Sequence, residues 1–173
     1  KSLTTASFPK CTSIGGRAFY NCYSLTTISF PECTTIELNA FGNCSSLTVA
    51  SFSKCASISQ GAFQNCSSLS VLSFPQLTAI SNYTFQACPA LTEVYFPECT
   101  SIGESAFRNC TALTTASFPK CVSLRNQVFS GCVNLVSLYL MNSSVCSLTS
   151  TGAFTSTPIG GYRAIARRYG SIY

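Results

Sequence analysis

Twelve cysteines, five glutamates and ten lysines and arginines are the side chains of this 173-residue chain with nucleophilic, acid–base or ligand chemistry to offer. The sequence has no histidine and no aspartate. Without imidazole, neither a Ser-His-Asp nor a Cys-His nucleophile can be assembled, and histidine metal sites are excluded. Cysteines alone could still ligate zinc, but no C-x-x-C pair occurs, so a zinc-ribbon spacing is missing. The sequence therefore assigns no catalytic residue, no metal ligand and no cofactor. The cysteines follow a different rule. Cys11, Cys33, Cys55, Cys99 and Cys121 fall on one 22-residue register, and Cys22, Cys44, Cys66, Cys88, Cys110 and Cys132 on another. Only Cys146 stands outside. Such spacing means that a repeated structural element places the thiols.

That element is visible in the other residues. Leu occupies 3, 25, 47, 69, 91, 113 and 135, always 22 apart. Counted from each Leu, the unit is L-x-x-(A/I/L/V)-x-F-P-x-C-x-x-I-x-x-x-A-F-x-N-C-x-x. Phe fills two columns, the sixth position (Phe8, Phe30, Phe52, Phe74, Phe96, Phe118) and the seventeenth (Phe19, Phe41, Phe63, Phe85, Phe107, Phe129, Phe154). The first, fourth and sixth positions alternate with polar residues, the pattern of a short strand with one buried face. Pro9, Pro31, Pro75, Pro97 and Pro119 follow it and mark its end, since proline has no N–H for a ladder. The ten or so residues that return through the Ile column and the Ala-Phe pair predict a 3-10, short helical or irregular segment. One coil cannot bury its own apolar face. About seven stacked coils make one core and one parallel sheet, with roughly 4.8 Å between strands. Stacked thiols keep parallel side chains whose Cβ atoms lie too far apart for an unstrained disulfide. They are read as buried free thiols, small apolar fillers whose S–H donates weakly to turn carbonyls.

The run L-x-x-A-x-F-P-x-C-x-x-I, continued by I-G-x-x-A-F-x-N-C-x-x-L-T, resembles the BspA-like subfamily of leucine-rich repeats, closely over 3–134 and loosely over 135–154. The resemblance implies an α/β repeat solenoid, a right-handed leucine-rich-repeat coil with one parallel β-sheet face. It also implies a bacterial surface or secreted protein involved in adhesion, related repeats being known from phage proteins as well. The expected organisation is a solenoid over residues 1–154 and a basic tail or cap over 155–173, within a longer protein.

Composition agrees with a packed repeat. Hydrophobic residues make up 46% of the chain and charged residues 9%, against roughly 25% charged in ordinary soluble domains. The formal charge of +5 is concentrated at Arg163, Arg167 and Arg168. The rest carries no basic stripe, so nucleic acid is not an expected partner. No transmembrane segment is expected, because no window approaches eighteen consecutive apolar residues.

The outward positions of the strand form a carpet of Ser and Thr, which suits a solvent-facing sheet. Glu93, Tyr95 and Tyr139 interrupt it and are the candidate binding residues, for a protein or glycan ligand on the sheet face. The alternative partners are neighbouring subunits of an assembly, such as a phage virion or filament. The eighth position alternates in charge (Lys10, Glu32, Lys54, Gln76, Glu98, Lys120), which predicts ion pairs one coil apart. Sequons at Asn43, Asn65, Asn82, Asn109 and Asn142 partly arise from the repeat, where the Asn side chain is expected to satisfy turn backbone groups. The function expected is a non-enzymatic binding or adhesion module at a bacterial cell surface.

Overall fold

The computed structural model describes residues 2–140, 147–148 and 152–158. Two kinds of strand alternate along it. Three-residue strands are β1 (Thr5–Ser7), β3 (Thr27–Ser29), β5 (Val49–Ser51), β7 (Val71–Ser73), β9 (Glu93–Tyr95), β11 (Thr115–Ser117) and β13 (Ser137–Tyr139). Two-residue strands are β2 (Ser13–Ile14), β4 (Thr35–Ile36), β6 (Ser57–Ile58), β8 (Ala79–Ile80), β10 (Ser101–Ile102), β12 (Ser123–Leu124) and β14 (Ser147–Leu148). Each strand pairs in parallel with its equivalent one coil away, as in Ala6 with Ile28 and Ile14 with Ile36. The molecule is a parallel β-solenoid.

The repeat makes this fold because every apolar column points inward. Leu, Phe, Cys and Ile of the middle coils are buried in one continuous core. The two Phe columns interlock along its length. Rings within a column stack, as Phe41 does on Phe63 with centroids 5.0 Å apart. Rings of different columns meet edge-on, as Phe52 and Phe63 do at 6.0 Å and 62°. Such offset and edge contacts add to the area burial that dominates core stability.

Two features differ from the sequence expectation. The Ile column forms a second set of parallel ladders, β2-β4-β6 and β8-β10-β12-β14, so the solenoid has two strand faces and not one. The return segment after it contains no helix among the described residues; the architecture is β, not α/β. The cause is local. The fifteenth position of each coil has positive φ (Arg17, Asn39, Gly61, Tyr83, Ser105, Gln127), and so does the nineteenth (Asn21, Asn43, Asn65, Ala87, Asn109, Gly131). A left-handed residue twice within five positions leaves no room for a right-handed helical turn. Hydrogen bonds alternate instead. Arg17, Phe19 and Asn21 donate their N–H groups to Leu38, Ala40 and Gly42 of the next coil, while Ala18 and Tyr20 close turns onto Gly15 and Arg17. Every second amide thus stitches coil to coil.

Candidate binding surface

The thiols are engaged in structure. Cysteines of the ninth position donate S–H to the carbonyl two residues on, as Cys33 does to Thr35 at 3.2 Å and Cys99 to Ser101 at 3.2 Å. Those of the twentieth position reach back a coil to a Phe carbonyl, as Cys88 does to Phe63 at 3.3 Å and Cys132 to Phe107 at 3.0 Å. Burial pushes the Cys44, Cys55 and Cys88 thiols up to about 12 and Cys99 to about 11, and raises Cys66 and Cys110 as well. A protonated, buried thiol is neither a nucleophile nor a metal ligand. All the described cysteines are free, and those of the middle coils are out of contact with solvent. Cys146 lies outside the described residues.

On the face of the three-residue strands, the candidates fall together at one end. Ser117 pairs in register with Tyr95 on one side and Tyr139 on the other. The two tyrosines, 61% and 48% exposed, therefore stand two rungs apart across a small serine. At roughly 4.8 Å per rung, that is a gap of about 10 Å between their Cα atoms. Glu93 lies on the same exposed face of β9, two residues before Tyr95. Tyr and carboxylate here flank a hydroxyl floor, an arrangement that offers aromatic faces and a hydrogen-bond acceptor to a ligand lying along the stack.

The charged column forms two of its expected pairs. Lys54 Nζ donates to both carboxylate oxygens of Glu32 at 2.7 and 2.8 Å, and Lys120 does the same to Glu98 at 2.6 and 2.8 Å. Both are half exposed and fix register more than they stabilise. The repeat asparagines behave differently from expectation. Asn43 Nδ2 donates to Asn21 Oδ1, and Asn65 Nδ2 to Asn43 Oδ1, both at 2.8 Å. Their left-handed backbone turns the side chains into one column, where each amide satisfies its neighbour and not the turn. Asn142 and residues 159–173, with Arg163, Arg167 and Arg168, lie outside the described residues.

A hollow that the columns do not announce lies on the other face, against β8, β10 and β12, with a volume of about 430 Å³. Its lining comes from coils that meet along these strands, from Ser59 to Arg125. Ala79 stands where Ser13, Thr35, Ser57, Ser101 and Ser123 stand in other coils, and Gly103 shares with Gly15 a position that is Glu37, Ser59, Ser81 and Arg125 in the rest. Among the described residues, no helix is long and apolar enough to cross a membrane.

Fold, period and columns together define a leucine-rich-repeat solenoid with a solvent-facing sheet. The sequence matches the BspA type leucine rich repeat region in six copies, over residues 1–113 and 78–160, and the chain belongs to that family. None of the curated proteins compared with it matches. Among solved structures, it is similar to a leucine-rich repeat protein from Eubacterium ventriosum, at 22% identity and a TM-score of 0.81, over 94% of this chain and 45% of that one. A leucine rich cell surface protein from Faecalibacterium prausnitzii is similar at 19% identity and a TM-score of 0.54, over 87% of this chain and 64% of that one. The chain thus spans less than two thirds of either protein, and the likeness is one of fold.

Proposed function

We propose that this chain is a non-enzymatic adhesion module of a bacterial surface protein, which binds a protein or glycan ligand on the face of its three-residue strands. In this reading residues 1–154 are the binding body and 155–173 a basic tail or cap. The observation that carries this reading is the placement of Tyr95 and Tyr139 on either side of Ser117, with Glu93 beside them, on a face otherwise surfaced by Ser, Thr and the exposed Val49, Val71 and Val136. Exposed aromatic residues on a rigid face supply contact area at low entropic cost, and aromatics dominate hot spots. Membership of the family supports a binding role, and the cell-surface description of the Faecalibacterium protein supports surface display.

The experiment is a screen of the chain on glycan and peptide arrays, followed by the Tyr95→Ser, Tyr139→Ser double variant. Ser already occupies this column in β1, β3, β5, β7 and β11, so the variant keeps the fold. Loss of at least tenfold in affinity with an unchanged thermal midpoint supports the reading. An unchanged affinity overturns it. Concentration-dependent self-association with no ligand found would favour the alternative, a structural subunit of an assembly.

A further inference from the structure

The 430 Å³ hollow on the two-residue-strand face is of the size of small-ligand sites and lies on a different sheet from the tyrosines. Ser59 and Gln60 line one end, Asn82, Ser101 and Ser123 its sides, and Arg125 the other end. Gly103 forms part of its floor, because a Cβ there would collide with the backbone of Ser81 and Asn82. The floor is therefore fixed by the coil-to-coil approach of the chain, and β10 is hydrogen-bonded on both sides, to β8 and β12. The Arg125 N–H donates to Ile102 O at 3.0 Å, which anchors that residue at the rim. The amide of Asn82 is oriented as well. Its Oδ1 accepts the Glu104 N–H at 2.8 Å, so its NH₂ remains as a donor.

We propose that this hollow is a second binding site, and that its ligand is an acidic saccharide. Ser hydroxyls both donate and accept, as do the Gln60 and Asn82 amides, and this complements a ligand rich in hydroxyl groups. Arg125 is the one charged residue of the lining. The ion pairs among the described residues are Glu32–Lys54 and Glu98–Lys120, so its guanidinium is available to take a ligand carboxylate in bidentate fashion. A peptide fits the site less well. The hollow has no aromatic or deep apolar pocket for an anchor side chain, and β10 presents no open edge for strand addition. A single cation does not make a track for a nucleic-acid backbone.

The test uses tetragalacturonate and its methyl ester, which differ in charge but share hydroxyl groups and chain length. Each is titrated into the ¹⁵N-labelled chain, and amide shifts are followed by NMR. The expected result is movement of Ser59, Asn82, Ser101, Gly103 and Arg125, with the acid bound at least tenfold more tightly than the ester. Arg125→Gln removes that preference. Ala79→Tyr, at an exposed position of β8, fills the hollow and abolishes binding of both. Tyr95→Ser with Tyr139→Ser leaves the titration unchanged, which separates this site from the sheet-face site. Equal binding of acid and ester, equal binding by Arg125→Gln, movement confined to the tyrosine face, or no movement at all overturns the proposal. Binding of an extended acidic peptide with the same shifts and in preference to tetragalacturonate would overturn the ligand class.

Discussion

Cys66 donates its S–H to the carbonyl oxygen of Phe41 at 3.2 Å, on an oxygen that also accepts the Cys44 N–H at 3.1 Å. The same three-group junction recurs along the stack: Cys44 on Phe19, Cys88 on Phe63 and Cys132 on Phe107. The thiol ties a turn to the coil before it while filling space beside a Phe ring. Cys66→Ala removes the donor, at a cost of about 1 kcal/mol, and leaves a small void worth about another. Cys66→Ser keeps a donor but shortens its reach, and falls between Ala and the parent chain. Urea midpoints of the three proteins check the order. Equal midpoints for Cys66→Ala and the parent would show that the junction contributes nothing.

The raised thiols set the alkaline limit of stability. An unfolded thiol has a value near 9.0, whereas Cys44, Cys55 and Cys88 are held at about 12 by burial. Below pH 9.0 the thiols are protonated in both states, and their contribution is fully present. Between 9.0 and 12 the unfolded chain ionises and the folded chain does not, so stability falls as pH rises. Each such thiol removes up to about 1.4 kcal/mol per pH unit in that window. The urea midpoint is expected to be similar at pH 7 and 8 and to drop steeply at pH 10. In the folded chain at pH 8, iodoacetamide should reach the half-buried Cys11 and Cys22 before any other described thiol. Alkylation of unfolded, unreduced chain should label all twelve.

The Leu, Phe and Cys columns made the coil legible, because each recurs at one position and each is apolar. The role of the thiols followed from their spacing, since a 22-residue register cannot serve a disulfide framework. The second strand face was not legible. Ser13–Ile14 and its equivalents are two residues long, and alternation cannot be seen in two residues. The turns after them were missed for another reason. The fifteenth position is Arg, Asn, Gly, Tyr, Ser and Gln in successive coils, so no residue type betrays its left-handed backbone. Tyr95 and Tyr139 stood out as exceptions to a Ser and Thr carpet. The hollow beside Gly103 did not, because no residue type or spacing of the repeat marks it.

Ala87 is the weak member of the nineteenth column. It holds φ at 56° where Asn21, Asn43, Asn65 and Asn109 hold the same conformation. Ala has no side-chain hydrogen bond to offset a left-handed backbone, whereas Asn tolerates it. Ala87→Asn is expected to raise stability by about 1 kcal/mol, and to extend the amide ladder beyond Asn65. Calorimetry should show a higher thermal midpoint. Ala87→Val, with a branched Cβ in the same conformation, should lower it.

The long-strand ladder opens twice, between β3 and β5 and between β7 and β9. At those steps the sixth-column rings stand wider, Phe30–Phe52 at 6.2 Å and Phe74–Phe96 at 6.3 Å. Where the ladder is closed the distances are shorter, 5.4 Å for Phe8–Phe30 and 5.3 Å for Phe52–Phe74. The fourth position explains the difference. Ala6, Ala50 and Ala116 fit fully inside their coils, while the larger Ile28 and Leu72, one on each strand that precedes an opening, stay partly exposed. A side chain too large for its slot holds its strand away from the next one. The Phe52 and Phe96 amides donate across closed steps, to Ser73 and Ser117 at 2.9 and 3.0 Å. Hydrogen exchange should therefore be faster at the Phe30 and Phe74 amides than at Phe52 and Phe96. Ile28→Ala should close the first opening and slow exchange at Phe30 while leaving Phe74 unchanged. Equal exchange at all four amides in the parent chain would mean that the two openings do not exist in solution.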